Sequence, residues 1–470
     1  MMGWKCINSI NAKVKIELTY GGNELKNETI LMVASGMKKS KKPFIKGSVE
    51  NIYLNYGLLG LGSILYNKGY KNVKMFQGDN KGIQEILNEI ESVGVNIKTI
   101  EYPVYISVPS FFSVSWAIEF INSLKCINPN MKVILGGRWV IDQNLEWCKK
   151  KFTNVDFFSL GCSDDTVDML LESSNWNKYQ DVQVSQEPFS RFHFNILNNF
   201  REYQPVIEIC RGCGRGCEFC LERNYPVSKI KSAEEVILEA KSISEIYGAE
   251  DLNFYFQASI FNPSVAWSKE FMDLYKKHNM KFKWRFETRV DTISLESLVI
   301  LAEAGLKVID LGLESASIDQ IARMGKSKDP IEYLDRADKL LHKMYELGIW
   351  SKINLLLYVG ETNKTLDETI SWLEGRKKCV KGVSVNPVIV YLNGNQTHDF
   401  VNYITKETGI EVDKAGLEEY GYSFINLSRE IGIDKSQELT NMLMERFMTR
   451  EDYLMLKNVC YTRRSISRQC

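Results

Sequence analysis

The chain has 470 residues, with 59 acidic and 59 basic side chains and 44% hydrophobic residues. This length exceeds what one core usually holds, so we expect two or three domains. The balanced charge gives no indication of a nucleic-acid partner, and no uninterrupted apolar run reaches the ~18 residues of a membrane span. The N-terminus lacks the layout of a signal peptide. We therefore expect a cytoplasmic protein without a membrane partner.

Strands and helices alternate from about residue 27, which predicts an α/β domain with a parallel sheet. The predicted strands are ETILMVAS, NVKMFQGD, VYISVP, KVILGG and VDFFSLG. We expect a Rossmann-like domain at 27–172, an N-terminal extension at 1–26 and a polar linker at 173–200. Four of the strands lead into Gly, Pro or Ser, which is typical of the edge where open α/β sheets bind ligands.

A second alternating series begins at QPVIEIC. Its six predicted strands are VIEIC, LNFYFQ, FKWRFET, KVIDLGLE, INLLLYVG and VSVNPVIVY. Six β–α units are fewer than the eight of a closed barrel, so the pattern predicts a partial (β/α)6 barrel at 201–400. The remaining region, 401–470, has helical periodicity without a chemical motif. From its position we expect it to cover the barrel mouth.

Four of the 11 cysteines are crowded into EICRGCGRGCEFC, directly after the first strand of this second series. Cys213, Cys217 and Cys220 have the spacing C-x3-C-x2-C, and thiolates this close favour an iron–sulfur cluster or zinc. Three ligands on a four-iron cluster leave one iron open to another molecule. Glycines at 212, 214 and 216 let the backbone fold tightly around such a group.

Three other interpretations stay open on these residues alone. Together with Cys210, the three cysteines would form a zinc site, although its two pairs would lie closer in sequence than in most zinc modules. The same four would also suit a ferredoxin-like cluster, or they would be buried structural thiols. We interpret Cys210 as the last residue of the preceding strand.

RGCGRGCEFC resembles the cluster-binding signature of radical S-adenosylmethionine (radical SAM) enzymes, with an aromatic residue before the last cysteine. The family fold is a partial β/α barrel. The resemblance implies that Cys213, Cys217 and Cys220 hold a [4Fe–4S] cluster whose fourth iron binds S-adenosylmethionine (SAM). Reduction then gives a 5′-deoxyadenosyl radical that removes a hydrogen atom. The resemblance also implies a reductant of the flavodoxin or ferredoxin type and a Phe219 ring near the adenine.

Further segments resemble the same family and supply candidate SAM contacts. KVIDLGLESAS is similar to the iGlES strand end, and RFETRVD to the tRvd strand, whose arginine would bind the SAM carboxylate. LLLYVGETNKT is similar to the GlPGET segment, with Val359 in place of proline. At LNFYFQASIFNP an acidic pair of the family is replaced. The candidates are Gln257, Ser259, Arg289, Glu314 and Ser315.

The first domain is similar to the cobalamin-binding domain that precedes the barrel in one subgroup of radical SAM enzymes. GLLGLGSILYNKGYKNVKMFQGD and VDFFSLGCSDDTVDMLLE are among the segments that carry this resemblance. The first histidine is His193, so the D-x-H-x-x-G loop of other cobalamin enzymes is absent. Binding would depend on shape and backbone contacts; the alternative is a scaffold that has lost its cofactor. The candidate cobalamin contacts are Ser107, Pro109, Gly136, Gly137 and Gly161.

The resemblance implies a radical SAM enzyme, and the domain order implies a cobalamin-dependent methyltransferase acting on an unactivated carbon. The second hypothesis is a non-methylating rearrangement, cyclisation or epimerisation, with Cys379 or Cys460 as the hydrogen donor of an epimerase. The third is a non-catalytic iron–sulfur or zinc binding protein. We expect a small-molecule or peptide substrate. No catalytic acid–base pair is assigned, because the cofactors carry the chemistry.

Overall fold

The computed structural model describes residues 28–37, 53–172, 176, 187–189, 191–223 and 225–460. The predicted N-terminal extension and part of the predicted linker lie outside these residues. In the described ranges, no helix is long and apolar enough to cross a membrane.

Strands and helices alternate through both predicted α/β regions. The described strands are β1 (Ile30–Ala34), β2 (Val73–Gln77), β3 (Val104–Ser107), β4 (Val133–Gly136), β5 (Phe157–Phe158), β6 (Val206–Glu208), β7 (Asn253–Gln257), β8 (Lys283–Arg289), β9 (Leu306–Glu314), β10 (Trp350–Leu357), β11 (Val380–Pro387), β12 (Ile389–Tyr391) and β13 (Tyr422–Phe424). The described helices are α1 (Tyr56–Asn67), α2 (Ile83–Ser92), α3 (Val114–Ile127), α4 (Leu145–Lys151), α5 (Met169–Glu172), α6 (Ala233–Tyr247), α7 (Val265–Lys277), α8 (Leu295–Ala302), α9 (Ile318–Arg323), α10 (Pro330–Glu346), α11 (Asn363–Glu374), α12 (Asn395–Thr408), α13 (Lys414–Tyr420), α14 (Ile433–Phe447) and α15 (Arg450–Cys460).

The first five strands form a parallel sheet in the order β2-β1-β3-β4-β5, which confirms the predicted Rossmann-like domain. Strand β1 is apolar on both faces: Ile30 and Met32 pack into one core cluster, and Leu31 and Val33 into another. A strand covered by helices on both sides has this pattern. Strand order reverses between β1 and β3, and ligands bind at the carboxyl ends of strands beside such a reversal.

Strands β6 to β11 form a second parallel sheet in the order β11-β10-β9-β8-β7-β6. This sheet confirms the predicted partial barrel. One predicted strand, VSVNPVIVY, is divided: β11 ends at Pro387, and the Val388 N–H makes a further bond to the Leu357 carbonyl at 2.9 Å. The chain after Val388 leaves the barrel as β12 and pairs antiparallel with β13.

The barrel interior is polar where closed barrels are filled with branched apolar side chains. Glu287, Asp310 and Lys352 stand in register on three neighbouring strands. The Asp310 carboxylate is fully buried and accepts from Arg285 Nη1 at 2.7 Å and from Lys352 Nζ at 2.6 Å. Burial alone would raise the pKa of Asp310, but Lys352 and Arg285 hold it below its ordinary value. We call this network of Arg285, Asp310 and Lys352, with Glu287 beside it, the charged floor of the barrel.

The C-terminal region is mainly helical, as predicted, and it contacts both domains. Helix α15 covers the amino ends of the barrel strands, where the Val459 carbonyl accepts from Gln204 Nε2 at 3.2 Å. At the other end, the Tyr422 ring lies 4.3 Å from the Phe111 ring of the first domain. Trp147 Nε1 donates to the Glu418 carbonyl at 2.9 Å. The two domains are therefore held together by the segment that follows them.

A buried ion pair joins helix α6 to the chain that precedes it. Lys231 Nζ lies 2.6 Å from Glu239 Oε2, and the two side chains are 5% and 2% exposed. Glu239 also accepts the backbone N–H of Phe192 at 3.2 Å. Burial raises the pKa of Glu239 to about 6. Removing the lysine would leave a carboxylate in the core without its cation.

We expect Lys231→Met to lower the free energy of unfolding by about 3 kcal/mol, because breaking one side of a buried pair strands the other charge. Urea unfolding followed by circular dichroism measures this. Lys276→Met is the matched control, since its partner Glu303 is 57% exposed, and its effect should stay below about 1 kcal/mol. Equal losses in both variants would contradict the importance of burial.

Candidate cofactor site

The candidate cluster loop follows β6 and is closed by its own backbone. The Cys213 N–H donates to the Tyr225 carbonyl at 2.9 Å. Gly212 has a φ of +75°, and a Cβ there would lie 2.1 Å from the Pro226 carbonyl oxygen. Only glycine fits that position. The close approach of the two loop strands is therefore encoded in the glycine-rich sequence.

Each cysteine of the C-x3-C-x2-C set has a nitrogen donor near its sulfur. The backbone N–H groups of Arg215 and Glu222 act to lower the pKa of Cys213 and Cys220, respectively. Cys217 Sγ accepts from Arg289 Nη1 at 3.1 Å. Burial raises the pKa of Cys213 and Cys220, so coordination of iron would be what keeps these thiols deprotonated. The donor set fits a [4Fe–4S] cluster, whose sulfurs take such hydrogen bonds.

Cys210 is part of the core. Its Sγ donates to the Ile260 carbonyl at 3.3 Å and its side chain is 1% exposed. Burial raises the pKa of this thiol to about 12. Within the described residues, no group of three or more His, Cys, Asp and Glu side chains is placed to hold a single metal ion. Cys213, Cys217 and Cys220 are the candidate ligands that remain free of such core contacts.

A cavity of about 220 Å³ lies directly beside the cluster loop. Phe219 lines it, and its ring centroid is 6.3 Å from that of Tyr358. The remaining wall comes from β10 and from the segment 387–400. Glu218 also lines the cavity, and a pocket of mixed apolar and polar lining beside the cysteine loop would suit an adenosyl group. The contact of Phe219 with the adenine stays a prediction.

Two predicted SAM contacts at the end of β9 have different surroundings. Glu314 has a φ of +67°, unusual for a residue with a side chain, and its Oε1 accepts from Lys326 Nζ at 2.9 Å. Ser315 is buried and its Oγ lies 3.0 Å from Thr369 Oγ1 of α11. Glu314 therefore belongs to the barrel mouth, whereas Ser315 is occupied by helix packing.

Two further candidates, Gln257 and Ser259, lie at the end of β7. Ser259 Oγ hydrogen bonds to the Glu222 carboxylate of the cluster loop. Glu222 also pairs with Arg138 of the first domain, at 2.6 Å from Nη2 to Oε1. One carboxylate of the cluster loop therefore lies near the end of β7, where the family resemblance expects an acidic pair on the segment itself.

Arg289 is surrounded by protein groups. Its Nε and Nη2 donate to the two oxygens of Asp291 at 2.8 and 2.9 Å, and Nη2 also donates to the Lys326 carbonyl. The remaining nitrogen, Nη1, donates to Cys217 Sγ at 3.1 Å. The predicted role of Arg289 toward the SAM carboxylate stays a prediction.

Sequence reasoning missed Lys326, Glu222 and Arg138. No local pattern indicates them, because each owes its position to a contact across loops that are distant in sequence. Asp291 had a signal: it follows Arg289 by two residues in RVD, the spacing of their bidentate pair.

The carboxyl edges of the two sheets face each other. Arg138 follows β4 and reaches the cluster loop, as described above. From the opposite side, Arg211 follows β6 and its Nη1 reaches Asp164 Oδ2, beyond β5, at 2.8 Å. Burial alone would lower the pKa of Arg211, but Glu208 and Asp164 raise it above its ordinary value. These ion pairs connect the carboxyl edge of the first sheet to the carboxyl ends of the barrel strands.

The predicted cobalamin contacts all lie at that edge of the first sheet. Ser107 and Gly136 are register partners on β3 and β4, and Ser107 Oγ accepts from Asn55 Nδ2 at 2.9 Å. Gly137 has a φ of +105°, and a Cβ there would lie 2.6 Å from the Val108 nitrogen. Pro109 and Gly161 follow β3 and β5. Their contact with cobalamin stays a prediction.

Unpaired polar atoms lie at the same edge and fit a ligand there. The hydroxyls of Ser35, Ser110 and Ser113 and the indole N–H of Trp139 have no hydrogen-bond partner among the described residues. Ser35 follows β1, the other serines follow β3, and Trp139 follows β4. Buried polar groups are normally paired, so this concentration favours a bound group with its own donors and acceptors.

Two solved proteins have a similar fold over most of the chain. The radical S-adenosylmethionine methyltransferase TsrM from Kitasatospora setae, with tryptophan and a SAM analogue bound, gives a TM-score of 0.59 at 14% identity, covering 82% of this chain and 79% of that one. The cobalamin-dependent radical enzyme OxsB, with aqua-cobalamin and SAM bound, gives 0.63 at 14% identity. That match covers 88% of this chain and 66% of OxsB, so the chain spans just under two thirds of the OxsB length. At this identity the likeness is one of fold.

No curated protein matches the chain in sequence. Residues 207–373 match the family model of the Radical SAM superfamily. This range begins on β6 and ends on α11, so it includes the cysteine loop and the strands that form most of the barrel. The chain therefore contains a domain of the radical SAM superfamily at residues 207–373.

Proposed function

We propose that this enzyme is a cobalamin-dependent radical SAM methyltransferase acting on an unactivated carbon of a small molecule or peptide. The observation that carries the proposal is the facing pair of carboxyl edges, one with the unpaired polar groups and one with the cysteine loop. A methyl donor in the first domain and a radical source in the second would then share one space. The fold likeness to TsrM and OxsB supports this arrangement.

Residues of the chain would hold each cofactor. The cluster would be ligated by Cys213, Cys217 and Cys220. Phe219 would line the cavity that receives the adenosyl group. When bound, the cluster and SAM supply a 5′-deoxyadenosyl radical, and methylcobalamin supplies the methyl group. A flavodoxin or ferredoxin type reductant would provide the electron. The residues themselves bind, orient and shield, since the cofactors carry the bond-breaking chemistry.

Shielding comes from the C-terminal part of the barrel and the segment after it. Tyr391 of β12 and Phe400 of α12 line the cavity next to Phe219. Tyr391 also packs against Trp139 of the first domain, with ring centroids 6.1 Å apart. Exclusion of water protects reactive intermediates from side reactions. These aromatic rings would shield one side of the cavity when the cofactors are bound.

The charged floor of the barrel supports a polar substrate. The Glu287 side chain is partly exposed and stands in register with the buried Asp310. Burial raises the pKa of Glu287, and the neighbouring Asp310 raises it further. A substrate that offers a hydrogen-bond donor would be accepted at this carboxyl group.

Cys379 does not favour the epimerase alternative. It directly precedes β11 and therefore lies at the amino ends of the barrel strands. The cluster loop is at the carboxyl ends. The side chain of Cys460 lies outside the described residues.

We expect the combined variant Cys213→Ala, Cys217→Ala, Cys220→Ala to lose the iron and the broad visible absorption of a reconstituted cluster. Cys210→Ala is the matched control, because Cys210 is on the same segment but bonded into the core; it should keep the full iron content. Anaerobic reconstitution followed by iron analysis measures both. Loss of iron in Cys210→Ala alone would contradict the ligand assignment.

We expect the reconstituted chain to bind cobalamin in equimolar amount and to transfer a labelled methyl group from SAM to it. Mass spectrometry of the extracted cobalamin detects the label. A chain that forms 5′-deoxyadenosine but retains no cobalamin would overturn the methyltransferase proposal and leave a radical SAM enzyme of the non-methylating kind.

A further inference from the structure

The Cys217 sulfur has a different electrostatic environment from the other two cysteine sulfurs. Its hydrogen-bond donor is the charged guanidinium of Arg289, at 3.1 Å. Cys213 and Cys220 have neutral backbone N–H groups of their own loop as their donors, and the charge of Arg289 acts on Cys213 without a hydrogen bond. Hydrogen bonds with a charged donor are about twice as strong as neutral ones. The ligand set is therefore asymmetric.

Little water screens this contact. Arg289 is 8% exposed and Cys217 is 6% exposed. A charge has a larger effect on its neighbours when water is excluded. The guanidinium also stays protonated at any pH of interest. Cys217 therefore has a permanent cation next to it in a dry environment.

The guanidinium is held in a fixed orientation. The Asp291 carboxylate accepts hydrogen bonds from Arg289 Nε and Nη2 at 2.8 and 2.9 Å, so that Nη1 is left to donate to Cys217 Sγ. Burial alone would raise the pKa of Asp291, but Arg289 holds it below its ordinary value. Asp291 therefore stays ionised near neutral pH and continues to fix the arginine.

The turn after α9 fixes both sides of the same sulfur. The Met324 carbonyl accepts the N–H of Glu218, the residue next to Cys217, at 2.9 Å. Two residues later, the Lys326 carbonyl accepts from Arg289 Nη2. The donor and the acceptor of the N–H···S contact are thus attached to one short segment, 324–326. A contact held in this way is preorganised before any cofactor is loaded.

We propose that Arg289 is a positioning residue that raises the reduction potential of the cluster through its N–H···S contact with Cys217. This inference rests on the cluster that the proposed function assigns to the three cysteines. Reduction adds negative charge to the iron–sulfur unit. A cation and N–H donor at one ligand stabilise the reduced form more than the oxidised form, and hydrogen bonds to sulfur are known to set cluster potentials. The effect is to ease electron transfer from the reductant.

The test is a redox titration of the reconstituted full-length protein in the absence of SAM, followed by electron paramagnetic resonance. We expect Arg289→Gln to make reduction of the cluster about tenfold less favourable, a shift of about 59 mV to more negative potential for one electron. Arg289→Lys keeps the charge and should recover part of the shift. Iron content should remain that of the parent protein in both variants.

Arg223→Gln is the matched control. Arg223 is a cation of the same loop, but it pairs with Glu218 at 2.7 Å and is partly exposed. Its removal should leave the potential unchanged. An equal shift in Arg223→Gln would show a general charge effect and overturn the role of the directed contact.

SAM binding, measured separately by equilibrium dialysis, distinguishes the other role predicted for Arg289. An unchanged potential together with lost SAM binding in Arg289→Gln would overturn the inference and make this arginine a SAM contact. That result would leave the proposed function intact. A parent protein that takes up no iron would overturn both.

Discussion

The site depends on how tightly the loop after β6 can be folded. Three thiols must come from eight residues at the end of one strand, and the loop must close on itself through the Cys213–Tyr225 backbone hydrogen bond. Such a loop cannot tolerate a side chain at Gly212. The closed loop also places Glu222 where it pairs with Arg138 of the first domain. The fold of this loop therefore positions both the three thiols and one contact between the domains.

Ion pairs and a shared hydrophobic cluster join the two domains. Arg138 and Arg211 cross the interface in opposite directions, each toward a carboxylate of the other domain. Because both arginines follow strands, the pairs join the carboxyl edges of two parallel sheets. The C-terminal segment adds aromatic contacts on top, through Tyr391 and Tyr422. Tyr391 is also part of the lining of the cavity beside Phe219.

The likenesses to TsrM and OxsB concern this arrangement as a whole and not single residues. Identity of 14% is compatible with the same fold and with different substrates. Substrate specificity of this chain would depend on the charged floor of the barrel, which is made by Arg285, Asp310 and Lys352 with Glu287 beside it. The contact between Arg289 and Cys217 would affect a different property, the ease of reduction.

The fold class, both sheets and the cysteine cluster could be predicted from the sequence, because hydrophobic periodicity and a short ligand spacing are local. The prediction that Cys210 is the last residue of its strand was wrong, since β6 ends at Glu208, but Cys210 does lie in the core. The contacts at the barrel mouth could not be predicted, because they join residues that are distant in sequence. Arg289 was identified from RVD, but its contact with Cys217 joins residues 72 positions apart. Glu222, Arg138 and Lys326 had no signal at all, since ion pairs between loops leave no periodic trace in a single sequence.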